Sequence, residues 1–345
     1  MSGFGIAADA ADNIYIVGRK DLSLFMEKYQ AGTNLWNQTW AEAYFSRGWD
    51  IVTDNEYLYT VGDLLPSGIG DKPGLLLIKW DTTGNLIWNR TWINSHAYTG
   101  RGVAVDEEGS IYTVGMNGSQ AILIKWNSSG TRLWNRTWSS SYCSEVAVDG
   151  NGDIITAGLF LIKWNQAGLQ LWNKTLGFST GLEVDAEDFL YTIGLFLWKW
   201  DMNGNQLWNQ TWTSHLGRDV ALSNDGGVYT ISSDPPEYNT KGVVVISGSE
   251  WVLTRWDTSG NYIDSITTEY AKGTAWGMVV DSAGYVHCIG ELWLVTESRL
   301  IYEIFSPLTK SISGFGFSLI VLTCCLLVFS LKKIKSHQSR NKDSS

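Results

Sequence analysis

Asp149, Asn151 and Asp153, in the stretch DGNGD, carry side-chain oxygens at every second position, which is how a calcium loop begins. The glycine such a loop needs at its sixth position is Ile154 here, and the glutamate at its twelfth is Phe160. The stretch is therefore a weak metal candidate, and no metal or cofactor is expected. The four histidines stand far apart, at 96, 215, 287 and 337. The chain has no His-Glu-x-x-His, no Gly-x-Ser-x-Gly, no Cys-x-x-Cys and no phosphate-cradling glycine loop. With no nucleophile, base or metal constellation, it reads as a non-enzymatic protein.

Two other polar sets remain. Seven Asn-x-Ser/Thr sequons occur, at Asn37, Asn89, Asn117, Asn127, Asn135, Asn173 and Asn209. They suit a belt of N-glycans on an exported protein; a polar Asn–Thr pair duplicated with its repeat would leave the same trace. The second set is basic: Arg47, Arg101 and Arg218, with His96 and His215 in the segments INSHAYTGR (93–101) and TSHLGR (213–218). On a chain of net charge −10 such a cluster suits a carboxylate- or sulfate-bearing ligand. Arginines paired with nearby loop carboxylates would look alike in sequence. The acidic balance itself argues against nucleic-acid binding.

The elements that must position these residues are repeats. The phrase Trp-Asn-x-Thr recurs as LWNQTW (35–40), IWNRTW (87–92), LWNRTW (133–138), LWNKTL (171–176) and LWNQTW (207–212). Before it comes a run such as LLLIKW (75–80) or ILIKW (122–126). Earlier still stand an apolar run ending in Asp, such as GVAVD (102–106), and an alternating run ending in Gly, such as IYTVG (111–115). Short runs of Val, Ile, Thr, Tyr and Trp bounded by Gly, Asp and Asn are β-strands. The Asp-x-x-Gly and x-x-x-Gly junctions read as tight turns with glycine at positive φ, the recurrent Asp capping the turn. Units start near residues 5, 48, 102, 145, 181, 219 and 276. A unit this short cannot bury its own apolar face and must stack on its copies. The expectation is all-β: a single seven-bladed β-propeller of four-stranded blades over 1–306. The sixth unit departs, with Tyr262 in place of Trp. In the seventh, ELWLVTESRLIYEIF (291–305) is two strands joined at Glu297-Ser298, or one strand and an insertion. Ring closure is thus left open.

The run GVAVDEEGSIYTVG with ILIKWNSSGTRLWNRTW resembles the bacterial and archaeal surface β-propeller repeat (SBBP). KWDTTGNLIWNRTW is similar to the tryptophan-docking repeat of the pyrroloquinoline-quinone (PQQ)-like propellers. The resemblance spans about 300 residues. It implies that Trp36, Trp88, Trp134, Trp172 and Trp208 pack against the neighbouring blade. It does not extend to PQQ itself, since the ring lacks an adjacent-Cys pair. Of 19 tryptophans, 14 fall at three repeated positions, so a structural role is expected for them.

After a short linker (307–310), residues 311–331 (SISGFGFSLIVLTCCLLVFSL) are uncharged, apolar and long enough to span a bilayer as one C-terminal transmembrane helix. The segment also resembles the sorting or anchor signals of prokaryotic surface proteins, some of which are processed. The tail, 332–345, holds five Lys/Arg and one Asp and is expected in the cytoplasm, with the propeller outside. No export leader precedes SGFGIAAD. Either the start is truncated, which the tail and sequons favour, or the protein is tail-anchored with a cytosolic propeller. Cys143 and Cys288 fall in distant units, so no disulfide is expected.

Strand alternation sends the first–second and third–fourth turns to one face of the disc. The other face gathers the variable loops, including insertions 63–74 and 232–250. The expected function is a surface binding or adhesion module using that variable face, with an extracellular protein or glycan as ligand. The alternatives are a scaffold subunit of a membrane-associated assembly and, from another class, a propeller enzyme acting on glycans.

Overall fold

A computed structural model describes residues 1–67, 72–93, 98–211, 216–233, 237–238, 244–245, 251–268, 273–293 and 298–305. The alternating runs pair as antiparallel meanders, one per repeat, covering 2–40, 45–92, 99–139, 143–175, 179–211, 216–267 and 273–305. Blades 1 to 6 have four strands each. Blade 7 has three among the described residues, and its 291–305 segment resolves into two strands, Val286–Trp293 and Ser298–Phe305. The insertion in blade 6 adds a two-stranded ribbon, Glu237–Tyr238 with Val244–Val245. The first strands of successive blades touch all the way round, so these line the axis. Residues 307–345, including the expected transmembrane helix, lie outside the described residues. Among those described, no helix is long and apolar enough to cross a membrane.

Two polar devices recur within the blades, each in five of the seven. The third-strand Trp80, Trp126, Trp164, Trp200 and Trp256 donate their indole N–H to Thr60, Thr113, Thr156, Thr192 and Thr230 of the second strand, at 3.0–3.1 Å. A buried indole thereby keeps its hydrogen bond. The second device is the first-turn aspartate. Asp106 accepts backbone N–H groups from Glu108 and Ser110 and the phenol of Tyr112; Asp9, Asp54 and Asp185 do the same with Tyr15, Tyr59 and Tyr191. In blade 7 the tyrosine is replaced by His287, whose Nε2 lies 2.9 Å from Asp281.

One expectation about glycine is corrected. The Asp-x-x-Gly glycines, such as Gly109 at φ 76°, do turn through positive φ. The x-x-x-Gly glycines do not: Gly62, Gly115 and their equivalents lie within the second strand. Their role is close approach. A Cβ on Gly62 would lie 1.8 Å from the Arg47 carbonyl, and one on Gly115 2.3 Å from that of Thr99. A β-bulge in the first strand drives that carbonyl into the second.

Seven apolar clusters fill the seven seams between blades, as when Tyr59, Val61 and Leu77 of blade 2 pack on Val103, Ile111 and Trp126 of blade 3. The fourth-strand tryptophans reach across these seams. Trp134, Trp172 and Trp208 donate to the carbonyls of Gln166, Met202 and Thr258 in the next blade's outer turn. Trp36 and Trp88 lie over the equivalent turn glycines, Gly84 and Gly130. Arg90 and Arg136, the middle residues of the Asn-x-Thr motif, clasp the same turns through backbone carbonyls. In blade 6 the register corrects the expectation: Tyr262 pairs with Trp256 as Leu86 pairs with Trp80, so Asp264, opposite Arg255, stands at the docking-Trp position, and Tyr262 bonds Ser265 of its own strand. The ring closes without a shared sheet. Ser2 Oγ donates to Glu291 at 2.7 Å, Ser282 bonds Asp12, and Tyr29 packs on Tyr302.

Candidate functional site: a collar at the channel mouth

The first strands run Ser2–Ala8, Phe45–Thr53, Thr99–Val105, Cys143–Val148, Ser179–Val184, Leu216–Leu222 and Gly273–Val280. Each skips one residue in its pairing with the second strand, and the skipped residues are Phe4, Trp49, Arg101, Ser144, Thr180, Arg218 and Trp276. A bulge bends the strand and re-aims the extra side chain. Seven equivalent bulges around one axis therefore present seven side chains to a common place, at the end of the channel where each first strand begins.

The aromatic members prove the convergence. Phe4 lies 4.6 Å from Trp49 and 5.6 Å from Trp276, and the two tryptophans are 6.4 Å apart, although they come from blades 1, 2 and 7. Guanidinium groups flank this triad. Arg101 and Arg47 each stand 4.0 Å from the Trp49 ring, and Arg218 lies 5.9 Å from Trp276. Such contacts hold a cation over an aromatic face. Tyr142 and Phe178, just ahead of the bulges of blades 4 and 5, pack 4.8 Å apart. Ser144 and Thr180 use their hydroxyls to stitch each blade to the next, through Ser179 O and Gly217 O. The collar thus has a stitched polar side and an aromatic, cationic side.

The three predicted arginines have different fates. Arg47 forms a bidentate pair with Asp63, which also accepts from the Trp49 indole, so its charge is answered locally. Arg218 Nε donates to Ser233. Arg101 forms no such pair among the described residues: burial works against its charge, and its Nε is buried with no acceptor there. Trp276 Nε1 is likewise a buried donor with no acceptor. His96 and His215 lie outside the described residues.

Behind the collar, one residue further along each first strand, the sequence alternates Gly5, Asp50, Gly102, Glu145, Gly181, Asp219, Gly277. The glycines leave room for the carboxylated neighbours: a Cβ on Gly5 would meet Asp50 Cα at 2.7 Å, and one on Gly181 would meet Asp219 Oδ1 at 2.8 Å. Asp50 accepts from Val103 N of blade 3, and Asp219 from Met278 N of blade 7. Burial pushes all these carboxyls up, Asp50 to about 6 and Glu183, two residues after Gly181, to about 7. Glu145 also rises, through burial and repulsion from Asp50 and Asp219, and so does Asp219, through burial and repulsion from Glu183 and Asp50.

The calcium-like loop takes a different cation. Asp149 Oδ1 caps its turn, while Lys163 Nζ lies 2.7 Å from Asp149 Oδ2 and 3.3 Å from Asp153. The tyrosine that bonds this aspartate in other blades is Ile155 here, and the lysine takes its place. No group of side chains among the described residues is arranged to hold a metal ion.

Sequence reasoning had found Arg47, Arg101 and Arg218 but missed Phe4, Trp49 and Trp276. A signal was present. At the position before Gly/Asp/Glu of each first strand the seven repeats carry five different residue types, from Ser to Trp, whereas the position before it is always small and the one after it always Gly, Asp or Glu.

No protein-family model matches the chain, and no curated protein matches it. Solved structures do. The WD40 propeller domain of Doa1 aligns with TM-score 0.63 and 11% identity over 87% of this chain and 92% of that one. A catalytically inactive virginiamycin B lyase from Staphylococcus aureus, crystallised with quinupristin, aligns with TM-score 0.62 and 10% identity over 84% and 92%. The C-terminal WD40 domain of Sif2 aligns with TM-score 0.55 and 11% identity over 88% and 96%. The likeness is one of fold, which WD40 domains and a lyase share.

Proposed function

We propose that this chain is a membrane-anchored surface binding module of the SBBP type, and that its ligand seats on the collar. One observation carries the reading. The collar is the position at which the repeat breaks its own pattern, and among the described residues it leaves two buried donors, Arg101 Nε and Trp276 Nε1, without acceptors, as the indoles of Trp40, Trp92 and Trp251 are elsewhere in the ring. An unmade buried hydrogen bond is costly, so a site that tolerates one is poised to receive an acceptor. Aromatic surface beside a guanidinium suits an acidic saccharide, with its ring face on Trp276 or Phe4 and its carboxylate on Arg101. The bulged residues lie at the fourth–first loop end of the channel, the face that also carries the second–third insertions.

The test is calorimetric titration of the full chain with uronic-acid oligosaccharides and with the same oligomers after carboxyl reduction. Binding of the acidic oligomer alone, lost in Arg101→Met, supports the reading. Equal binding of both forms, or of neither, overturns it. The exterior placement is tested by protease protection on intact cells with propeller and tail tagged separately. A cleaved propeller with a protected tail is expected. The scaffold reading draws on a row of exposed apolar residues along the rim.

A further inference from the structure

The rim holds a feature that the collar does not use. On each fourth strand the side chains alternate, so Leu, Asn and Thr of Leu-Trp-Asn-x-Thr share one face while Trp and x share the other. The Trp face packs on the next blade. The other face shows Leu35, Ile87, Leu133, Leu171 and Leu207 at 48–53 % exposure, one per blade. Two residues along the same face from each stands a sequon asparagine: Asn37, Asn89, Asn135, Asn173 or Asn209.

If the Asn–Thr pair were repeated because it holds the blade together, its polar atoms would be bonded within the blade. They are not. The hydroxyls of Thr39, Thr91, Thr137, Thr175 and Thr211 make no hydrogen bond, nor do the side chains of Asn37 and Asn173. Asn89, Asn135 and Asn209 have one long contact each, at 3.4 Å, to Glu42, Arg132 and Gln206. The contrast with Thr113, which is bonded to Trp126 in the same blade, is sharp. The other two sequons differ: Asn117 and Asn127 cap turns through Oδ1 and have structural work. Blade 6 has no sequon, and its leucine position, fixed by the pairing of Trp256 with Tyr262 and of Arg255 with Asp264, is Ile263, which is half-buried rather than exposed.

We infer that Asn37, Asn89, Asn135, Asn173 and Asn209 are N-glycan attachment sites, and that their sugars cover the exposed leucines. The inference rests on the exterior placement proposed above. In the transfer, the asparagine Nδ2 bonds to the anomeric carbon of a lipid-phosphate-linked oligosaccharide. The anomeric C–O bond to phosphate breaks, the lipid phosphate leaves with its electron pair, and the amide loses one proton. An uncovered apolar stripe on the edge strand of five blades is a template for self-association. A sugar two residues away lies over it.

The full chain is produced behind an export leader in a host with N-glycosylation, and its peptides are mapped by mass. Modification at the five rim asparagines is expected. If protease places the propeller outside and those asparagines are bare, the inference fails while the surface reading stands. If the propeller is inside, both fail. The covering role is tested with Asn→Gln at all five positions. Self-association is expected, and adding Leu→Thr at 35, 133, 171 and 207 with Ile87→Thr should restore the monomer. A five-site Asn→Gln protein that stays monomeric overturns the covering role.

Discussion

The third-strand tryptophan and the first-strand bulge are two positions of the same repeat, and they behave oppositely. The tryptophan recurs in five blades, is buried each time, and donates to the same threonine partner each time. The bulged residue is Phe, Trp, Arg, Ser, Thr, Arg and Trp in turn, mostly half-buried, and two of its copies carry buried polar atoms or indole nitrogens left unmet. Within a repeat protein, sameness marks what each blade needs to stack on its neighbour. Difference at a position of fixed backbone geometry marks what the assembled ring presents to something else.

That contrast can be broken by measurement. The largest effect is expected in the framework: Trp126→Ala should destabilise by about 3–5 kcal/mol in denaturant unfolding, the cost of a large core truncation. A loss below about 1 kcal/mol would show that the recurrent tryptophan is not what locks the blade.

Next are the channel carboxyls. Their folded pKa values lie above those of the unfolded chain. Their contribution is therefore complete below about pH 4 and declines as pH rises through 6 to 7. Asp81, in the turn between the third and fourth strands of blade 2, has the opposite sign. Held to about 2 despite the burial that opposes this, by bonds from Thr83 and Asn85, it loses its contribution only on acidification. Thermal stability should peak in mildly acid buffer and fall toward pH 8. Glu183→Gln should recover about 3 kcal/mol at pH 8 and nothing at pH 4, taking about 1.4 kcal/mol per pKa unit. A flat pH profile would mean that these carboxyls are hydrated in solution.

A smaller effect compares two threonines. Thr156→Val leaves the Trp164 indole unpaired and should cost about 1–3 kcal/mol. Thr175→Val, on the rim face with nothing bonded, should stay within about 0.5 kcal/mol in the unglycosylated chain. Equal costs would erase the distinction between framework and rim threonines. The smallest effect on folding belongs to the collar. Arg101→Met removes the guanidinium that stands over Trp49 and should change stability by about 1 kcal/mol or less. It should nevertheless weaken an acidic oligosaccharide at least tenfold in titration.

Much of this architecture was legible because it is local and repeated. Asp106 capping its own turn and Trp172 reaching the neighbouring blade both follow from short spacings seen several times, whereas the threonine partner of Trp126 was not read from them. The glycines after the second strands misled for a physical reason. In sequence, a glycine needed for positive φ and one needed for close backbone approach look alike, and only the bulge opposite Gly62 separates them. The calcium-like loop was legible as a weak candidate only, and its cation was not legible at all: the group at Asp149 is Lys163, ten residues beyond Asp153, and nothing in DGNGD shows it. Arg47 and Arg101 were visible as residues, but which of them Asp63 neutralises was not.

By itself the sequence determined the blade, its turns and its stacking, because each depends on neighbours within one or two repeats. Only the tertiary structure decided the collar. Phe4, Trp49 and Trp276 are far apart along the chain, and they meet within 6.4 Å because seven wedges closing on an axis bring their inner edges together whatever their order in sequence.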